Sequence, residues 1–288
     1  MYILFKLTLF QIISNKVIFC SFVDSTQYTF VLVKNDYMQL NIYPDKDAMS
    51  KATADLIVAQ IHQKPDSLLC FPSGESPTLV LQFLVRYGQE GHVNFEHCRF
   101  VGLDEWIGMD ENDEGSCRHY MYSNFFIPLE IKADKIIFFN GKAEDPEKEC
   151  EKMNRYIQEN GPVDIMMVGL GMNGHIGLNE PGTDFNSYAH YAELDPVTVK
   201  VAQKYFDKTT ALSGGITLGL RHVSEAKKAV LIVSGIKKAA ILAQVLEAEI
   251  TDKIPGTIIQ SHQNAYIFSD QDAASELSNV HPLPLNHK

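Results

Sequence analysis

From position 38 onward, the chain alternates between two hydrophobic rhythms. Residues 39–43 are strand-like, and short, mostly apolar runs follow at residues 67–71, 99–103, 135–139, 164–168, 229–233 and 265–268. Runs of that length bounded by turn residues read as β-strands. Between them, residues 47–63, 77–87, 146–159 and 237–249 read as helices. The first carries Ala52, Leu56, Ile57, Ala59 and Ile61 at positions compatible with one packed face. The second opens on Pro77, which is tolerated in a first turn because its missing N–H would have had no partner there. Strands alternating with helices predict βαβ units. The expected fold is therefore α/β: a Rossmann-like, open, mostly parallel sheet with helices on both faces. Such sheets gather binding groups just past the carboxyl ends of their strands. No internal repeat, low-complexity tract or long linker interrupts the pattern.

The two ends read differently. Residues 1–37 begin with an apolar stretch broken by Lys6, Gln11, Asn15 and Lys16, which is too interrupted for a bilayer span. Lys6 lies inside the apolar run and no Ala-x-Ala site follows, so a signal peptide is not indicated either. The expectation is an N-terminal extension outside the native domain, with a weak membrane anchor as the rival. Residues 38–274 are expected to form the domain, and residues 275–288, with two prolines and two histidines, a loose tail.

Composition narrows the function classes. With 45% hydrophobic residues the chain has material for a large core, which excludes disorder. Its 25 basic against 36 acidic side chains give a net charge of −11, which argues against a duplex-binding protein. It does not argue against a small anionic substrate, which a few cations and helix N–H groups can hold. The five cysteines form no CxxC pair and no zinc-ligand spacing, and read as thiols in the core.

Four polar clusters follow strands. Phe71-Pro72-Ser73-Gly74-Glu75-Ser76-Pro77 combines a glycine turn, two hydroxyls and a helix start. It could cradle a phosphate, although an ordinary strand-to-helix turn would read the same. Asp104 and Glu105 stand side by side next to the only tryptophan, Trp106. On an extended segment neighbouring side chains point opposite ways, so one of the two is expected to face a site. A carboxyl in a partly apolar setting can shuttle protons near neutrality, and a helix N-cap is the bland alternative. The third cluster runs from Gly169 to Gly182 and holds His175, Asn179, Glu180 and Pro181 among its glycines. Gly169, Gly171 and Gly174 match GxGxxG, but His175 and Glu180 stand where a dinucleotide fold would have a long apolar helix. Histidine works near pH 7, and Glu180 could set its tautomer and charge. Last, Ser234-Gly235-Ile236-Lys237-Lys238 offers two lysines at a helix start, as phosphate ligands or as a solvated surface.

In combination these segments resemble the glucosamine-6-phosphate deaminase (isomerase) family and its galactosamine-6-phosphate relatives, from about position 38 to position 272. The specific part is Gly-His-x-x-x-Asn-Glu-Pro in Gly174 to Pro181. The 6-phosphogluconolactonases share the Gly-His element but lack the Asn-Glu-Pro ending. The resemblance implies that Asp104 is the proton-shuttling aspartate, His175 the ring-opening histidine and Glu180 its acid partner. Asn173 falls where members carry Asp or Asn, and is expected to hold the imidazole by hydrogen bonds while Glu180 supplies the charge. Ser73, Gly74, Glu75 and Ser76 match the sugar-phosphate loop, Lys238 a phosphate-binding lysine, and Gly169 and Gly177 backbone positions near the substrate.

The activity implied is conversion of a hexosamine 6-phosphate to a ketose 6-phosphate and ammonia, without cofactor or metal, in the cytoplasm. The expected partner is that small substrate rather than nucleic acid or membrane. Galactosamine-6-phosphate is the alternative substrate, and 6-phosphogluconolactone hydrolysis a more distant one. A sugar-sensing regulator is a further alternative, but residues 1–37 are apolar and nearly lack the basic residues of a DNA-binding leader. The family's phosphate-binding arginine has no counterpart: its position falls on Tyr205, with Lys204 beside it as a substitute. Activator-binding basic positions are not evident near His190 and Ala192, so neither allosteric activation nor a hexamer is implied, and homo-oligomerisation stays open.

Overall fold

A computed structural model describes residues 8–13, 16–24, 27–35 and 37–278. One large sheet organises them. Its parallel part, in spatial order, is β4 (Met38–Tyr43), β13 (Ala265–Asp270), β12 (Ala229–Val233), β9 (Ile165–Gly169), β5 (Leu68–Phe71), β6 (Arg99–Gly102) and β8 (Ile136–Ile137). The strands β1 (Thr8–Ile13), β2 (Lys16–Asp24) and β3 (Gln27–Asn35) continue it antiparallel beyond β4.

The central strands are apolar throughout because both faces of the sheet are covered. Ile165 and Met167 pack on one side, while Met166 and Val168 pack on the other. The first side carries α1 (Lys46–Gln63), α2 (Thr78–Gln89) and α3 (Cys117–Met121), through residues such as Ile57, Leu81 and Met121. The second carries α4 (Pro146–Asn160), α6 (Leu220–Glu225) and α7 (Ala239–Glu247), through Met153, Val223 and Leu242. The expected α/β architecture, with helices on both faces, is what forms. Helix starts follow capping chemistry: the Asp45 carboxylate accepts from the Ala48 N–H at 2.8 Å, and Asp145 accepts from Lys148 N–H with Pro146 in the first turn.

The chain reverses direction across the sheet between β5 and β9. After β5 it moves outward through β6 and β8; it then returns to the far side of β5 as β9 and proceeds through β12 and β13 toward β4. Strand ends diverge at such a switch point and leave a crevice. Above it stands a second, smaller antiparallel sheet in the order β10 (His190–Ala192), β11 (Gly215–Thr217), β7 (Asp104–Trp106). The segment read as a strand over 135–139 is shorter than expected. A 3-10 turn over Ala133–Lys135 precedes it, and only Ile136–Ile137 pair with β6. The helix expected from 237 begins as a 3-10 turn, Ile236–Lys238, before α7. The expected loose tail lies outside the described residues from position 279 onward.

Candidate active site

The strand ends at the switch point open into a cleft of about 850 Å³. Ser73, Glu75, Ser76, Asp104, Gly169, His175, Gly177 and Lys238, all singled out in the sequence, line it. Gly74, Asn173 and Glu180 belong to the same walls but stand behind this lining.

Asp104 opens β7, where extended geometry sends it and Glu105 to opposite faces. Asp104 enters the cleft. Glu105 turns away and is consumed by structure: it accepts from the Ser116 hydroxyl at 2.7 Å and from the backbone N–H groups of Trp106, Cys117 and Arg118. This carboxylate thus anchors the start of α3, which answers which of the two neighbours faces the site. Burial pushes the Asp104 carboxyl up to about 7; the Cys117 side chain opposes that rise and the nearby Glu105 carboxyl adds to it. An acid with that value can both take and return a proton at neutral pH.

His175 sits on the turn after β9. Its imidazole packs flat against Gly171, where an added Cβ would lie 2.4 Å from Nε2, so this glycine makes room for the ring. The Nδ1 edge faces Glu180, with Oε2 at 3.4 Å. Burial raises the Glu180 carboxyl, but hydrogen bonding and charge from His175, aided by Thr198 and Asn173, leave it below its ordinary value. It is therefore held ionised behind the imidazole. The expectation for Asn173 needs correcting: its amide does not reach the ring. Its Nδ2 donates to Glu180 Oε2 at 2.8 Å, and its Oδ1 accepts from the His175 backbone N–H at 3.3 Å. The reason is reach: two residues before His175 in a tight turn, its side chain meets the turn's own backbone and the carboxylate first. Asn173 therefore orients Glu180, and through it the imidazole.

The cleft also carries cationic and hydroxyl groups of the kind that suit an anion. Lys238 Nζ lies against the Leu170 carbonyl, and burial lowers its ammonium to about 8. Such a cation, short of compensating charge, favours a bound phosphate. The loop after β5 supplies Ser73 and Ser76, and Gly74 takes a left-handed turn at φ +106° that only glycine adopts without strain. Tyr205 lies across that glycine, its hydroxyl 2.8 Å from where a Cβ would sit. Lys204 Nζ meets Glu75 Oε2 at 2.7 Å, and Lys46 donates to the Glu75 carbonyl at 3.0 Å. Lys204, weighed as a substitute for an absent arginine, and Tyr205, on which that arginine's position falls, thus both stand beside this loop.

One functional contact left no mark in the sequence. Thr198, on α5 (Pro196–Ala202), places its hydroxyl 3.1 Å from His175 Nδ1. Nothing in a threonine within an amphipathic segment distinguishes it, and only the course of the chain after Pro181 brings it to the ring. Cys70, Cys98, Cys117 and Cys150 are buried free thiols, as read from their spacing, while Cys20 lies outside the described side chains.

Comparison with known proteins bears on the family and the fold. A family model described as glucosamine-6-phosphate isomerases/6-phosphogluconolactonase matches residues 44–268. A glucosamine-6-phosphate deaminase from Geobacillus sp. (strain WCH70) is 33% identical over 230 residues, covering 80% of this chain and 92% of its own. The solved structure of a monomeric glucosamine-6-phosphate deaminase aligns with a TM-score of 0.80 at 29% identity, over 83% of this chain and 99% of that one. A 6-phosphogluconolactonase from Trypanosoma brucei shares the fold, with a TM-score of 0.65 at 15% identity over 83% of this chain and 98% of that one.

Proposed function

The chain belongs to the glucosamine-6-phosphate isomerase/6-phosphogluconolactonase family, and on that premise we propose that it is a glucosamine-6-phosphate deaminase, releasing ammonia and fructose 6-phosphate. The observation that carries this reading is the Asp104 carboxyl, held near neutrality in the same cleft as the His175–Glu180 pair. Lactone hydrolysis needs no base at C2; an aldose–ketose shift does.

The steps follow from the groups at hand. With its phosphate at Lys238 and the loop after β5, the substrate lays its ring toward His175. His175, backed by Glu180, moves the C1 hydroxyl proton to the ring oxygen, and the ring opens to an aldehyde. The aldehyde acidifies the C2 proton; Asp104 removes it while a proton passes from the substrate's C2 ammonium to the C1 oxygen, leaving a C1–C2 enolamine. Asp104 then returns a proton to C1, which gives a C1 alcohol and a C2 iminium. Water adds at C2 and ammonia leaves. Each acid–base group supplies roughly 10²–10⁴-fold, and anchoring the phosphate supplies positioning. The four buried free thiols fit a reducing compartment, which supports a cytoplasmic setting. Among the described residues no helix is long and apolar enough to cross a membrane.

The test is ammonia release from glucosamine-6-phosphate and galactosamine-6-phosphate side by side, with 6-phosphogluconolactone as the third substrate. The expected result is ammonia from the first, lost in Asp104→Asn. Lactone hydrolysis without ammonia from either amino sugar refutes the proposal, and faster turnover of the galactosamine compound reassigns the epimer.

A further inference from the structure

The imidazole of His175 has two neighbours at Nδ1, and the nearer is not the carboxylate. Thr198 Oγ1 is at 3.1 Å, while Glu180 Oε2 is at 3.4 Å. The Thr198 side chain is buried and lines the cleft together with Val197 and Val201 of the same helix, which are more exposed. A carboxylate can only accept a hydrogen bond and a hydroxyl can accept one too, so both neighbours suit a proton on Nδ1. This leaves Nε2 bare as the basic nitrogen. The same short segment reaches the loop after β5, where Lys204 pairs with Glu75 and Tyr205 covers Gly74. The helix α5 and the 3-10 turn Gln203–Tyr205 that follows it directly therefore touch His175 and the loop after β5.

We infer that Thr198 is a positioning residue through which the seating of the α5 segment on the phosphate loop arms His175 for ring opening. It acts through the imidazole and touches no reacting atom. When the segment is seated, the hydroxyl fixes the ring plane and its tautomer. Without that hydroxyl, the imidazole keeps only the longer Glu180 contact. The inference deepens the deaminase reading and rests on it for the identity of the step.

Two measurements test it. In histidine-labelled protein, the Nδ1 proton of His175 is followed by NMR in the parent, Thr198→Val and Thr198→Ser, with inorganic phosphate as the anion probe. The expected result is a protected Nδ1 proton in the parent and the serine variant, whose exchange slows further with phosphate. In the valine variant it exchanges faster and does not respond. Ammonia release supplies the second readout: kcat falls by about threefold to tenfold in Thr198→Val, what one hydrogen bond is worth. KM changes little, and Thr198→Ser restores the rate. Should valine prevent folding, Thr198→Ala against Thr198→Ser isolates the hydroxyl in the same way. An Nδ1 proton unchanged in position and exchange by loss of the hydroxyl overturns the inference, as does a serine variant no better than alanine. Absence of ammonia from the parent enzyme overturns the deaminase reading instead and leaves the NMR result to stand by itself.

Discussion

Replacing Asp104 with asparagine should abolish ammonia release and at the same time stabilise the protein, in a pH-dependent manner. The carboxyl moves from an ordinary 3.8 to about 7 on folding, chiefly because it is buried. That displacement amounts to about 4 kcal/mol of cost for holding the ionised form in the folded chain. The sign follows from linkage. Below about pH 4 the group is neutral in both states and costs nothing. Between about pH 4 and 7 the unfolded chain ionises while the folded one does not, so stability falls as pH rises, and above about pH 7 the whole cost is present. An asparagine of the same shape never carries the charge. Urea unfolding of parent and variant at about pH 5 and about pH 8.5 should therefore show the variant gaining on the parent by about 2–3 kcal/mol across the interval. In the parent, kcat/KM should rise with pH through about 7, as the base becomes ionised. A stability difference that is the same at both pH values, or an acid limb far below pH 6, would refute the assignment of Asp104 as a buried, near-neutral base.

Other substitutions test the remaining walls. Lys238→Ala should raise KM for a hexosamine 6-phosphate by about 10–100-fold, the worth of a charge-assisted hydrogen bond; steady-state kinetics reads it, and a change confined to kcat contradicts the anion-binding role. Because burial lowers Lys238 to about 8, parent KM should climb above that pH as the free ammonium deprotonates. Gly171→Ala places a methyl 2.4 Å from Nε2, so kcat should fall by at least tenfold, near the loss expected for displacing a general acid–base group; an unchanged rate would mean that the ring need not lie there. Glu75→Gln removes a pair that is mostly exposed on both sides, worth at most about 1 kcal/mol, and should alter KM no more than about fivefold.

The parallel strands, their flanking helices and the strand-end clusters were legible because each rests on local chemistry: apolar runs, caps and glycine turns. Alternation on an extended segment indicated that one of Asp104 and Glu105 would face the cleft, and the resemblance, not the alternation, named Asp104. What escaped was made by distant pairing. The small sheet joins β7 to β10 and β11 through three-residue strands, too short to carry a period. Thr198 escaped for a related reason, since its partner lies 23 positions earlier and no spacing rule connects them. Asn173 was read by proximity to His175, when the turn actually directs it to Glu180.

The reversal of strand order has a mechanical corollary. In the ladder, β5 and β9 pair at Leu69 with Ile165 and Cys70 with Met166 before their ends part. Serine groups from one flank and the histidine turn from the other must then be bridged by whatever occupies the gap. On the proposed reading, a sugar phosphate held from both flanks would act there as a rivet between the two halves of the sheet.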